Sequence, residues 1–360
     1  MHNTCKSSDR IKENISLHKD FWTFKNTKPV VGIFLGGWTP FKGCVSEELW
    51  TRQSVRSDDI RPVDFLPDIE KYICEQGQIE DDLVRALQPF ASIPWMEAIL
   101  GCKVRCSKPN LWADTISEDI GALPDLAFDP AQGWVQTYIE FLRIYKMHFD
   151  KMQPIIASIL RGPSDCLAAI LGDMAVVYAY TDMPEAVRHR LEQITGTFCS
   201  FWHYQQAFID QFEGGYIIPQ NEIWTPGPSL RLQEDASAML SPAMYEQFLE
   251  PCDRQIAAQS GFTLFHLHTT SLFVVEFLLR NPFIKILQFS RDDGHEGLDD
   301  VLKAAKQGQR AGKHIVLRGR FTDQELNAIR QSLDCRGLCV HIVTSSLEQA
   351  KQQYYLAKNT

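Results

Sequence analysis

The chain lacks several features that would place it in a specialised class of protein. No apolar run in its 360 residues approaches the roughly 20 residues that span a bilayer, so we expect no membrane association. The N-terminal segment has no apolar core of signal-peptide length, which favours a cytoplasmic location. Basic residues are dispersed and number 36 against 45 acidic ones, and the net charge of −9 argues against a nucleic-acid partner.

Common cysteine and nucleotide motifs are missing as well. None of the ten cysteines forms a Cys-x-x-Cys pair, and without an export signal they are better explained as reduced thiols than as disulfides. No Gly-x-Gly-x-x-Gly or Walker loop follows a predicted strand, so dinucleotide and nucleoside triphosphate binding lack support. With 44% hydrophobic and 22% charged residues, the composition is that of an ordinary globular protein.

Strand and helix patterns alternate along the C-terminal third of the chain. The apolar runs that we interpret as strands there, each followed by a helical pattern, are 263–268, 284–289, 314–317 and 338–343. Further candidate strands lie at 29–35, 154–160 and 214–220. Apolar strands covered by helices indicate a parallel sheet, and a strand count near eight favours a single (β/α)8 TIM barrel. We expect residues 1–28 to form an N-terminal helical extension and residues 29–360 to form the barrel domain.

The segment 261–271, GFTLFHLHTTS, predicts a strand whose end carries two imidazoles. Residues two apart share a strand face, so His266 and His268 converge, while Phe265 and Leu267 point the other way. Imidazoles at a strand end suit a metal, an anion or a proton transfer. The competing interpretation is a hydrogen-bonded core histidine beside a surface histidine.

Other candidate residues follow predicted strands, where barrels carry their functional side chains. Arg161 follows the run at 154–160, and its guanidinium can bind a substrate carboxylate or phosphate, or pair with Asp165 or Asp173. Asp235 lies well upstream of Ser241, which already caps the next helix, so we favour a site role for Asp235. Tryptophans near strand ends suit a flat apolar pocket, although they are as often plain core. The predicted substrate-binding residues are Trp38, Trp112, Glu222, Trp224, Gln288 and Asp292.

Four segments of the chain resemble the uroporphyrinogen decarboxylase superfamily. They are 161–172 (RGPSDCLAAILG), 182–195 (DMPEAVRHRLEQIT), 233–251 (QEDASAMLSPAMYEQFLEP) and the His-x-His strand followed by IKILQFSRDD. The likeness spans about residues 90–355, and the order of the segments is more specific than any one of them. It implies a barrel like those of uroporphyrinogen decarboxylase and methionine synthase. The superfamily joins porphyrinogen decarboxylases with zinc- and corrinoid-dependent methyltransferases.

Departures from the superfamily's motifs bear on the activity. Porphyrinogen decarboxylases carry an arginine-rich loop after the first strand, whereas this chain has GGWTPFKG at 36–43, with Lys42 as the only cation. The methyltransferases carry His-x-Cys and a later cysteine as zinc ligands. Here His268 replaces the first cysteine, and IVTSS at 342–346 has no thiol.

Two imidazoles can still hold zinc or another divalent ion if a carboxylate completes the site. Asp235, Glu222 and Asp292 are the eligible carboxylates. Cys339 and His341 share one strand face and could also reach inward, although core filling is the favoured interpretation for both.

Three hypotheses for the function follow. The first is methyl transfer, with a metal on His266 and His268 and a corrinoid carried by a partner protein. The second is metal-free acid–base chemistry, including decarboxylation, on a small carboxylated substrate that Arg161 anchors, with His266 as proton donor and Asp235 stabilising charge. The third is a non-catalytic binding or accessory subunit that keeps the barrel and its pocket.

Overall fold

The computed structural model describes residues 8–36, 51–107, 110–149, 152–291 and 297–359. Its strands are β1 (Val30–Leu35), β2 (Ser54–Val55), β3 (Val104–Ser107), β4 (Asn110–Ala113), β5 (Tyr216–Ile217), β6 (Trp224–Thr225), β7 (Ser229–Gln233), β8 (Phe262–His268), β9 (Ile284–Ser290), β10 (His314–Gly319) and β11 (Leu338–Thr344). Its α-helices are α1 (Ser8–Trp22), α2 (Leu66–Gln76), α3 (Trp95–Ile99), α4 (Gly133–Phe149), α5 (Pro163–Leu171), α6 (Asp173–Asp182), α7 (Pro184–Gln206), α8 (Pro242–Met244), α9 (Glu250–Ala257), α10 (Val275–Arg280), α11 (Leu298–Arg310), α12 (Asp323–Ser332) and α13 (Leu347–Asn359).

Short helical turns join several of these elements. A π-turn at Tyr245–Leu249 links α8 to α9, and 3-10 turns occupy Ser57–Asp59, Pro62–Phe65, Ile120–Ala122, Asp235–Met239 and Thr269–Val274. Ser241 caps α8 as expected, since its hydroxyl accepts a hydrogen bond from the Met244 amide at 3.2 Å. Within the described ranges, no helix is both long enough and apolar enough to cross a bilayer.

The fold is mixed α/β, and its centre is a six-stranded parallel sheet in the order β1-β11-β10-β9-β8-β7. The four C-terminal strands lie within one or two residues of their predicted bounds, because their apolar runs and the helical patterns between them are unambiguous. The strand predicted at 154–160 instead forms an extended segment with a single parallel bridge, Leu87 to Ile155.

Two extended segments lie between the edge strands β1 and β7. The amide of Asp82 donates to the carbonyl of Val31 at 3.0 Å, and the amide of Gly162 donates to the carbonyl of Gln233 at 3.0 Å. The Asp81 and Asp82 carboxylates accept the amides of Ile33 and Val31, at 2.9 and 2.7 Å. Beside β1, these carboxylates replace backbone acceptors, and beside β7 the described segment makes a single backbone hydrogen bond. A full eight-stranded barrel is therefore not established by the strand pairing of the described residues.

The run at 214–220 does not supply the predicted barrel strand. It forms the antiparallel hairpin β5–β6, and the central strand at this position is β7. The hairpin's Ile218 and Ile223 pack with the inward residues Leu264, Ile286 and Val316 near the amino ends of the central strands.

The N-terminal helix α1 closes the same end of the sheet. Phe21 is fully buried and lies 4.8 Å, ring to ring, from His314, the first residue of β10. The indole of Trp22 donates to the carbonyl of Trp224 at 2.6 Å, and His18 accepts from the Trp224 amide at 2.9 Å. The amino end of the central sheet is therefore covered, and the carboxyl end is left for a site.

Candidate functional site

A polar cavity of about 280 Å³ opens at the carboxyl ends of the central strands. It is lined by Ile159, Gln220, Arg231, Gln233, Asp235, His266, His268, Ser290 and Arg318. The strand register explains the convergence, since Gln233 pairs with His266 and His268 pairs with Ser290 along neighbouring strands. A larger cavity of about 600 Å³ lies beside α6, against Met174 and Tyr178, away from these strand ends. We assign the site to the smaller cavity because ionisable side chains from β7, β8 and β10 meet there.

The cavity holds a cluster of three potential metal ligands. His266 and His268 project to the same side at the end of β8, and their Nε2 atoms lie 3.0 Å apart. Asp235 follows β7, and its Oδ1 lies 3.7 Å from Nε2 of His268. One ligand atom from each of the three residues lies within 4.8 Å of the others. Nitrogen and oxygen ligands held by a tetrahedral zinc at about 2.0–2.1 Å lie roughly 3.3 Å from one another, so the three side chains need only small adjustments to share an ion.

Two amide side chains orient these ligands. Nδ1 of His266 contacts Oε1 of Gln288 at 3.1 Å. Since an amide oxygen only accepts, Nδ1 carries the proton, and the Nε2 lone pair faces the cluster. Nε2 of Gln233 donates to Oδ2 of Asp235 at 2.9 Å, and the other carboxylate oxygen of Asp235, Oδ1, faces His268. Outer-shell hydrogen bonds of this kind fix ligand orientation in metal sites.

Burial keeps the central imidazole neutral. The pKa of His266 is lowered well below its usual value by burial, and further by Arg231, His268 and Arg318. A neutral imidazole can coordinate a cation or accept a proton, but it does not donate a proton as an imidazolium does. The setting therefore favours the neutral form of His266, in which Nε2 is free to coordinate a cation or accept a proton.

Two buried arginines line the same cavity. Arg231 lies on β7 and Arg318 lies near the end of β10, with 4% and 2% of their surfaces exposed. Arg231 is not among the predicted site residues, because β7 lacks the continuous apolar run that marks the other central strands. The signal was the alternation in SLRLQ at Ser229–Gln233, where Leu230 and Leu232 pack outward in the core while Arg231 and Gln233 face the cavity.

Arg161 and Trp112 line a neighbouring cavity of about 280 Å³. This cavity shares Ile159 and Gln233 with the first one, so the two adjoin. Arg161 forms an ion pair with the buried Glu97 at 3.0 Å, and this carboxylate is the main reason that the pKa of Arg161 is raised. Arg161 therefore lines the cavity next to the one that holds Asp235, His266 and His268.

Glu222 and Trp224 lie apart from both cavities. Glu222 is buried and pairs with Arg85 at 2.5 Å, and burial, more than any charge, raises its pKa. Trp224 lies in the hairpin at the amino end of the sheet, and its indole donates to the carbonyl of Phe212 at 3.0 Å. Among the residues that the structure describes, Asp235 is therefore the candidate carboxylate that lies at the imidazoles. Trp38 and Asp292 lie outside the described residues.

Cys339 and His341 face inward on β11 but do not join the ligand cluster. Cys339 packs with Val30 and Val343 in the apolar core, and burial raises the pKa of its thiol well above the usual value. His341 is fully buried, and burial, followed by Arg318, lowers its pKa well below the usual value.

A buried acid layer supports the loop that carries Asp235. Asp165 lies in the first turn of α5, where its Oδ1 accepts the amide of Ala236 at 2.7 Å and its Oδ2 accepts from Gln233 at 3.2 Å. Burial raises the pKa of Asp165 to about 7. Behind it, the amide of Ser164 donates to the Glu234 carboxylate at 2.7 Å. The sequence did not reveal this layer, since its members only meet in the folded chain.

Comparison with known proteins adds information about the fold. The sequence matches no known protein family, and no curated protein matches it. Its structure is similar to that of a methyltransferase from Methanosarcina mazei, with a TM-score of 0.62 over 95% of this chain and 98% of the other. The two sequences are 11% identical, so the likeness establishes a shared fold and leaves the chemistry to the site.

Proposed function

We propose that this chain is a methyltransferase of the uroporphyrinogen decarboxylase superfamily that acts on a small substrate at the carboxyl rim of a (β/α)8 barrel. The observation that carries the proposal is the meeting of Asp235, His266 and His268 in one cavity at the strand ends. The shared fold with a methyltransferase supports it. In this proposal, the extended segments around Asp82 and Ile155 take the two barrel positions between β1 and β7.

The three side chains fit a divalent metal such as zinc. They supply two imidazole nitrogens and one carboxylate oxygen, which is the number of protein ligands that a catalytic zinc needs while one position stays open. Gln288 and Gln233 hold the non-ligating atoms of His266 and Asp235. A bound metal would act as a Lewis acid that lowers the pKa of an acceptor thiol or hydroxyl.

The remaining side chains prepare the cavity for an acceptor. His266 is neutral and adds no positive charge to the cavity, whereas Asp235 contributes a carboxylate. Arg231 and Arg318 make the inner wall cationic, which favours a substrate with a negative group. Ile159 supplies apolar surface between this cavity and the one that contains Trp112.

We further propose that the methyl group arrives on a corrinoid carried by a partner protein. A corrinoid held by another protein would have to reach the cavity from the open carboxyl rim of the sheet. The exposed side chain of Trp112, at the adjoining cavity, offers a flat apolar surface there.

Metal content and methyl transfer test the proposal together. The protein is purified without an affinity tag and analysed for bound metal, and methylcobalamin is then offered as donor with a thiol as acceptor. We expect about one divalent ion per chain, loss of methyl transfer on chelation, and loss of both metal and activity in His266→Ala and Asp235→Asn. Arg280→Ala, at an exposed ion pair with Glu246, is the matched surface control. Protein that neither retains nor takes up metal, and that chelator does not affect, would contradict the proposal.

Decarboxylation is the second candidate, and the buried arginine pair is the observation that favours it, because such a pair suits a carboxylated substrate. Release of CO₂ from a carboxylate that survives exhaustive dialysis against chelator would select this function over methyl transfer.

A further inference from the structure

The two buried arginines of the cavity are unusual because little in the described chain compensates Arg231. Among the residues that the structure describes, no carboxylate oxygen lies within 4.0 Å of its guanidinium nitrogens, and its buried Nε has no hydrogen-bond partner. Its Nη1 donates to the side-chain oxygen of Gln233. A buried cation with donors left over is costly unless something neutralises it.

Arg318 reaches the same cavity from β10 in a fixed orientation. Its guanidinium carbon lies 4.5 Å from the ring centroid of Phe34, so the aromatic ring packs against the cation. The register pairs Arg318 with Ser290 on one side and His341 on the other. Packing of this kind limits the rotamers of a long side chain, which lowers the entropy cost of binding a ligand.

The charges of the two arginines act on each other. Burial lowers the pKa of Arg231 to about 10 and that of Arg318 to about 9, and the charge of Arg231 contributes to the lowering at Arg318. Asp235 and Asp165 offset part of this effect at Arg231. Two neighbouring cations that line one cavity form an electrostatic site for an anion.

We propose that Arg231 and Arg318 bind the carboxylate of the small substrate on which the site acts. The proposal deepens the proposed function and depends on it for the reaction, but not for the binding itself. Guanidinium groups match the two oxygens of a planar carboxylate. One unit of negative charge fits best, because Asp235 already contributes one to the same cavity.

The size of the cavity limits the substrate. A volume of about 280 Å³ corresponds to about nine water molecules at the density of liquid water. It lies just below the range typical of drug-sized ligands. A short carboxylic acid fits this volume, with its reacting group placed toward Asp235 and the imidazoles.

The test measures ligand binding separately from metal chemistry. Chelator-treated and zinc-loaded protein are titrated with acetate, glycolate and propionate. Acetamide, the uncharged isostere of acetate, and inorganic phosphate serve as comparison probes. Binding is followed by calorimetry and by the shift in unfolding temperature, which rises when a ligand binds only the folded state. We expect at least one carboxylate to bind in both preparations, and acetamide to bind at least tenfold more weakly.

Variants show whether the arginines are responsible. Arg231→Met and Arg318→Met should each weaken carboxylate binding about 10- to 100-fold, the loss typical of one charge-assisted contact. Arg231→Met should unfold at the same or a higher temperature without ligand, since it removes a buried, incompletely paired charge. A purely structural arginine would instead lower the unfolding temperature. Arg231→Gln is a second variant in case the methionine does not fold, and Arg280→Met is the surface control.

The outcomes separate this proposal from the proposed function. Carboxylate binding that requires both arginines in metal-free protein supports the proposal even if no metal is ever retained. Phosphate binding more tightly than every carboxylate would overturn the assignment to a carboxylate. Equal binding by Arg231→Met and the parent protein, or no binding of any of the anions, would overturn the anion site, even in a protein that retains metal.

Discussion

The outer-shell hydrogen bond to His266 provides the sharpest prediction about the metal site. Gln288 is fully buried on β9, and its Oε1 accepts from Nδ1 of His266 at 3.1 Å. Gln288→Leu keeps a similar volume but removes the acceptor. The imidazole then loses the contact that fixes its tautomer and its ring orientation. We expect zinc affinity to fall about 10- to 100-fold, or about 1.4–2.7 kcal/mol.

Competition with a chromophoric zinc chelator measures this affinity directly. Gln353→Leu is the matched control, because Gln353 is also a buried glutamine and donates to the carbonyl of Phe321 at 2.6 Å, with no contact to the site. Gln288→Glu keeps an acceptor oxygen and should bind zinc at least as tightly as the parent protein. Zinc affinity within a factor of two of the parent in Gln288→Leu, or an equal loss in Gln353→Leu, would refute the reasoning.

Three further predictions concern stability. Gly162→Ala would place Cβ 2.2 Å from a β7 carbonyl oxygen and should lower the free energy of unfolding in urea by about 1–3 kcal/mol. Gly196 lies inside helix α7 with no atom within 4 Å of an added Cβ, and Gly196→Ala should raise the free energy of unfolding by about 0.5–1 kcal/mol. Burial raises the pKa of Asp253 to about 7, so the contribution of Asp253 to the free energy of unfolding falls as pH rises from about 4 to about 7, by up to about 1.4 kcal/mol per pH unit. In urea melts, the free energy of unfolding of Asp253→Asn should therefore depend less steeply on pH than that of the parent protein, and an unchanged slope would contradict this. Glu222→Gln should cost about 1–3 kcal/mol, because it weakens a buried charge-assisted hydrogen bond to Arg85 while Arg85 keeps its pair with Asp81. A loss below about 0.5 kcal/mol in the same assay would show that the pair with Glu222 is dispensable.

The regular part of the sheet could be predicted because its strands are continuous apolar runs between amphipathic helices. Strands β8 to β11 and helix α12 follow directly from that pattern. Strand β7 could not be found in this way, since its inward side chains are polar and its apolar ones alternate with them. The run at 214–220 was mistaken for a barrel strand because apolar content alone does not distinguish a buried hairpin from a buried strand.

The candidate site was only partly predictable. The pairing of His266 with His268 depends on spacing within one strand, which the sequence states directly. The selection of Asp235 over Glu222 depends on partners that are distant in the chain, since Glu222 pairs with Arg85 in the interior. Trp224 was expected near a strand end, but its hairpin turns it toward α1.

The sequence by itself determined the alternation of strands and helices and the common face of the two imidazoles, because both depend on short repeating intervals along the backbone. Only the tertiary structure decided which carboxylate meets those imidazoles and that two buried arginines share their cavity. Those meetings depend on the order and register of parallel strands, and these are set by packing between segments that lie far apart in the chain.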